Sequence, residues 1–111
     1  MYIGAHVHIY ERDWPTYRKR PYKGRFSPYT DPEAVTYVTI GNGKSGCLEK
    51  PPAISRKKSF FIANYSNNYG YGQVQACNQT HLQFKYFSST GTVQDSFWLI
   101  RNTHGNYPPR V

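Results

Sequence analysis

A chain of 111 residues has room for one small domain or for part of a larger one. Its 11 Tyr, 6 Phe and 2 Trp, with few strong helix formers, favour strands, and no apolar run reaches the ~18 residues that a membrane-spanning helix requires. A formal charge of +8 favours anionic partners, but the clusters Arg18-Lys19-Arg20 with Lys23 and Arg25, and Arg56-Lys57-Lys58, are read as solvated loop faces.

In chain order, residues 1–9 read as a short, mostly buried strand ending at His6 and His8. Side chains two apart share a face in extended chain, so both imidazoles would sit on one edge. Residues 13–34 hold Trp14-Pro15, Arg20-Pro21, Ser27-Pro28 and Asp31-Pro32, which block helix and predict one long ordered loop. Residues 35–41 are β-branched almost throughout and form the clearest strand. The glycine turn from Gly41 to Gly46 lacks the spacing of a phosphate-binding loop, and a second loop runs through Pro51-Pro52. Ser59–Ala63 is a short strand candidate, and Gly72–Cys77 with His81–Phe87 predicts a hairpin around Asn78-Gln79-Thr80. In the last strand, Val93–Arg101, Val93, Asp95, Phe97 and Leu99 share one face. The tail 102–111 reads as frayed.

Several residues carry candidate chemistry. Two imidazoles can each give a ring nitrogen to a metal, but a catalytic zinc site takes three protein ligands, and no acid here stands at a recognised metal-ligand spacing from the pair. Glu11-Arg12, at the exit from the first strand, predicts a buried ion pair that ties down the following loop. His81 and His104 read as surface residues. Asn64-Tyr65-Ser66 and Asn78-Gln79-Thr80 are both glycosylation sequons and, with Cys47 and Cys77, point to a secreted, extracellular or lysosomal protein. A Cys47–Cys77 bridge would contribute about 3–4 kcal/mol, and a partner elsewhere in a longer protein is the alternative. The first residues lack the pattern of a secretory leader.

The run Ala5-His6-Val7-His8-Ile9-Tyr10-Glu11-Arg12, continuing through Asp13-Trp14-Pro15-Thr16-Tyr17, closely resembles the last metal motif of the animal-type purple acid phosphatases. These are dinuclear-metal members of the metallophosphoesterase superfamily. The resemblance continues in order through Pro28-Tyr29-Thr30-Asp31-Pro32, Gly46-Cys47, Tyr69-Gly70-Tyr71-Gly72, Asn78-Gln79-Thr80-His81-Leu82 and Asp95-Ser96-Phe97-Trp98. Two departures stand out: Val7 replaces the Glu common between the histidines, and Phe61-Ile62-Ala63-Asn64-Tyr65 agrees only in part with the family pattern.

The resemblance implies an α/β fold, a two-sheet sandwich with outer helices, of which this stretch supplies mostly antiparallel strands and long loops. It implies that His6 ligates a divalent metal (Zn, Fe or Mn) and His8 an Fe(III), and that metal-activated hydroxide hydrolyses a phosphomonoester. The family's other ligands and its catalytic histidines precede this motif. Residues 1–111 are therefore expected to be the C-terminal portion of such an enzyme, inactive alone and with no catalytic residue of its own. The alternatives are a non-enzymatic secreted β-domain with a vestigial metal site and a basic nucleic-acid-binding module. Neither a membrane span nor a nucleic-acid partner is expected, and nothing in the pattern specifies an oligomer.

Overall fold

The computed structural model describes residues 1–24, 27–43 and 60–103. Among those residues the regular elements are all strands: β1 (Tyr2–Gly4), β2 (Tyr10–Asp13), β3 (Thr16–Tyr17), β4 (Arg20–Pro21), β5 (Tyr37–Ile40), β6 (Ile62–Ser66), β7 (Gly70–Ala76), β8 (His81–Ser88) and β9 (Val93–Ile100). A four-stranded sheet has the order β1-β5-β2-β6, a three-stranded sheet the order β7-β8-β9, and β3 and β4 form a small ribbon. Among the named strands the pairings are antiparallel except β1 with β5, where Tyr2 aligns with Tyr37 and Gly4 with Thr39.

The two larger sheets meet through aromatic side chains. Inward positions of β8 and β9 bury Phe84, Tyr86 and Phe97, and β2 and β5 answer with Tyr10 and Val38. The Tyr10 ring lies flat on Tyr86 at 3.9 Å between centroids. Tyr29, from the long loop, tilts against Phe97 at 4.9 Å. The described residues of that loop include the β3–β4 ribbon instead of lacking regular structure, and the loop runs beside β9: Asp31 N donates to Ile100 O and Ile100 N to Tyr29 O. The segment from Asn102 is tied to the same place, its backbone N and Nδ2 donating to the Asp31 carboxylate at 2.8 and 3.1 Å. Those bonds hold the Asp31 carboxyl below its ordinary range, and residues 104–111 lie outside the described residues.

The hairpin and the last strand form where alternation places them. The first strand differs. It ends at Gly4, its Tyr2 and Ile3 are exposed, and residues 5–9 bend. Topology supplies the reason: β1 runs parallel to β5 on one side, and β2 runs antiparallel to β5 on the other. The chain must therefore cross over the end of β5 and reverse within five residues, which extended backbone cannot do. Further on, β6 starts at Ile62 instead of Ser59, and Ser59 lies outside the described residues.

The ribbon shows local strain. Tyr17-Arg18-Lys19-Arg20 closes with φ of 47° at Arg18 and 61° at Lys19, both in the left-handed region of a mirror-image hairpin turn. Neither residue favours that region. Replacing Arg18-Lys19 by Asn-Gly is expected to stabilise the fold by about 1 kcal/mol, net of the Arg18 guanidinium stacked on Tyr17 at 5.4 Å. Thermal denaturation reads this directly, and an unchanged or lower midpoint would count against strain at the turn.

Candidate metal-ligand site

His6 and His8 lie on the loop over the end of β5, just beyond the C-terminal end of β1. His6 is exposed and His8 half-buried. The loop is pinned from below. Ile9, only 2% exposed, anchors it in the interior, Ile9 N donates to Val7 O at 2.9 Å, and Gly41 N donates to Ile9 O at 3.0 Å. Gly41 has to be glycine for space: a Cβ there would collide with the backbone carbonyl oxygens of Ala5 and Val7.

Beneath the loop, the Tyr-Glu-Arg triplet alternates along β2, so Tyr10 and Arg12 point inward. The predicted Glu11–Arg12 pair does not form the clamp. The buried partner of Arg12 is Asp95 on β9, with Nε to Oδ2 at 2.7 Å and a second guanidinium nitrogen to Oδ1 at 3.0 Å. Adjacent residues on a strand face opposite ways, which is why Glu11 cannot serve Arg12 from β2. Tyr10 Oη donates to Asp95 Oδ2, and Arg12 donates to Tyr29 Oη. The guanidinium also sits over the Tyr29 and Phe97 rings at 5.2 and 5.1 Å. Burial pushes the Tyr10 phenol well up, reinforced by Asp95, so it stays a protonated donor. Burial alone would raise the Asp95 carboxyl, but the bonds from Arg12 and Tyr10 outweigh it and hold the carboxyl below its usual range. Burial pulls the Arg12 guanidinium down, but its bond to Asp95 prevails and the group is held more firmly protonated than usual. Both shifts favour the ionised pair.

A second tie joins Gly41's neighbour to the far sheet. Asn42, 1% exposed, donates through Nδ2 to Tyr86 Oη and to Asn68 O. Gly70 N donates to Asn42 O at 3.3 Å. The segment under the histidines is thus held from both sheets.

The remaining candidates are dispersed. His81 opens β8, its Nδ1 2.7 Å from Thr80 Oγ1 and its ring edge-on to Trp98. His104 and Cys47 lie outside the described residues, while Cys77 is exposed just after β7. Asn64 sits within β6 and Asn78 in the β7–β8 turn. A cleft of about 610 Å³ opens at the opposite end of β1 and β5, lined in part by Met1, Glu33, Thr36, His81 and Arg101, and neither His6 nor His8 reaches it. Among the described residues no three His, Cys, Asp or Glu side chains gather as metal ligands. As a donor set, His6 and His8 fit part of a centre: imidazole nitrogen suits both zinc and iron, and two such ligands leave most of a coordination sphere to be supplied by other groups. No local pattern marks Tyr10, Tyr29 or Asn42 as supports of this loop and the strand that follows it. Asp95 had one usable signal, a charged residue at an inward position of an apolar alternation, which requires a buried partner.

Residues 34–96 match the family model described as iron/zinc purple acid phosphatase-like protein C. The chain is 36% identical over 106 residues to acid phosphatase type 7 of Danio rerio, covering 93% of this chain and 24% of that protein. It is 33% identical over 100 residues to the Mus musculus protein of the same name, covering 87% and 22%. In fold it is similar to the purple acid phosphatase from yellow lupin (Lupinus luteus) seeds, with a TM-score of 0.72 and 23% identity over 89% of this chain and 17% of that one. The chain spans about a quarter of the length of the curated relatives it matches. Since the family model accounts for more than half of its residues, the chain belongs to the iron/zinc purple acid phosphatase-like protein C family.

Proposed function

We propose that this chain is the C-terminal portion of an acid phosphatase that hydrolyses phosphomonoesters at a dinuclear centre of Fe(III) and a divalent metal (Zn, Fe or Mn). His6 would hold the divalent ion and His8 the ferric ion. The observation that carries the reading is the position of both imidazoles on one pinned loop at the C-terminal end of a parallel strand pair, the end at which open α/β sheets place their ligands. The metals would supply Lewis acidity toward the phosphate oxygens and the attacking water. This chain's own residues do the positioning: Ile9 and Gly41 fix the loop, and the Arg12–Asp95 clamp fixes the strand that follows it.

Two imidazoles do not complete the centre, so we infer that residues 1–111 alone bind metal weakly and turn over little substrate. The face of β1 supports a larger setting: Tyr2 and Ile3 are 60% and 45% exposed, although parallel pairs ordinarily have both faces covered. Secretion or lysosomal residence fits the two sequons, and nucleic acid is not proposed as a partner. In the full-length protein, His6→Ala and His8→Ala should each lower p-nitrophenyl phosphate turnover by at least about 100-fold, since even outer-shell changes cost 10–100-fold. Each variant should also lower bound metal measured by mass spectrometry. Full turnover with unchanged metal content in both variants would end this reading.

A further inference from the structure

We propose that Asn78 carries an N-linked oligosaccharide while Asn64, which has the same acceptor pattern, stays bare in the folded protein. The two sequons are alike on paper, and the fold separates them. Residues directly opposite in an antiparallel pair point to the same face of a sheet. Asn64 is opposite Arg12, and Ser66 is opposite Tyr10. Tyr10 and Arg12 both reach Asp95 on the facing sheet, and Ser66 Oγ donates to Gln94 Oε1 of β9 at 3.0 Å. Asn64 therefore shares the face of β6 that meets β9, beside the buried clamp. Asn64 is itself half-buried on that face, so a branched sugar on its Nδ2 would crowd the seam between β6 and β9.

Asn78 has the opposite setting. It is exposed in the β7–β8 turn, where its Oδ1 accepts from Thr80 N, Thr80 Oγ1 and His81 N, each at 2.9 Å. Those bonds engage the oxygen of the amide and leave Nδ2 as the group available to solvent. The neighbouring β7 is an edge strand whose residues 71–76 are exposed, so a sugar at the turn displaces no packed side chain. In the transfer, Asn78 Nδ2 attacks the anomeric carbon of a lipid-pyrophosphate-linked oligosaccharide. The N–C bond forms, the C–O bond to pyrophosphate breaks, one amide proton passes to a base of the transferase, and the lipid pyrophosphate leaves.

The inference rests on the secretory location proposed above, so the test fixes that location by producing the full-length protein behind a secretory leader in insect cells. Soluble secreted protein is digested, treated with peptide-N-glycosidase, which converts a glycosylated Asn to Asp, and mapped by mass spectrometry. Conversion at Asn78 and none at Asn64 is expected. Asn78→Gln and Thr80→Ala should each remove one mobility step on a gel, and Asn64→Gln should remove none. A sugar on Asn64 in the secreted protein, or wild-type protein bare at Asn78, overturns the inference. The phosphatase reading is scored separately, by turnover and metal content in the same material.

Discussion

Asp95→Ala is expected to destabilise the protein by about 3–5 kcal/mol, because it leaves the Arg12 guanidinium buried without its counter-charge. Against a typical domain stability of about 5–15 kcal/mol, that is enough to unfold a large fraction of molecules near body temperature. The side chains of Arg12 and Asp95 are only 11% and 5% exposed, so water cannot take over the lost role. Replacing both partners by apolar residues, Arg12→Met with Asp95→Leu, should cost far less than Asp95→Ala alone, since no charge is left stranded. Tyr10→Phe should cost about 1.5–3 kcal/mol, one hydrogen bond to a retained charged carboxylate. Trp14, whose ring stacks near Tyr29 at 6.3 Å, offers a fluorescence signal close to the clamp during urea unfolding. A loss below about 1 kcal/mol for Asp95→Ala would mean that the clamp does not hold the sheets together. The pH dependence has a definite sign. The folded carboxyl lies below its ordinary value of 3.8, so its contribution is complete above that pH and is lost as pH falls through the lower folded value. Wild type should therefore keep its stability through mildly acid conditions and lose it below about pH 4. Asp95→Asn should flatten that loss, leaving the smaller slope due to Asp31, which is shifted the same way by Asn102.

What could be read from the sequence divides along the range of the interactions. The β7–β8 hairpin and β9 were legible because alternation and turn residues are local signals, and their inward positions do bury Phe84, Tyr86 and Phe97. The partner of Arg12 was not legible. Arg12 and Asp95 are 83 residues apart, and no local pattern distinguishes that pairing from the neighbouring Glu11. The histidine segment departs from its expected strand for a topological reason. Its β-branched and apolar residues suit a strand, but flanking β5 on both sides in opposite directions forces a crossover there. Residues 6–12 accordingly divide their work, Tyr10 and Arg12 bonding across to the second sheet while His6 and His8 stay at the rim.

The crossover makes Gly41 the position where fold and proposed chemistry meet. Its φ lies outside the left-handed region, so glycine is needed there for room, not for backbone freedom. Gly41→Ala would drive a methyl group into the carbonyl oxygens of Ala5 and Val7, on either side of His6, and neither is the free end of a flexible side chain. The loop or the end of β5 must shift, at a cost of about 1–3 kcal/mol by analogy with overpacked cores. Misplacing a ligand by about 1 Å costs on the order of 100-fold in rate, so in the full-length protein turnover per folded molecule should fall by about that factor. Excess metal should restore part of it, because ligand position and not ligand identity has changed. Gly43→Ala provides the control. Among the described residues, a Cβ at Gly43 would meet only Gly70 O at 3.8 Å, an ordinary contact, and activity and melting temperature should stay near wild type. If Gly41→Ala matches Gly43→Ala in turnover, metal content and melting temperature, the loop is not held against β5 as described. If it melts early yet binds and turns over normally once folded, the contact is structural and the histidines do not depend on it.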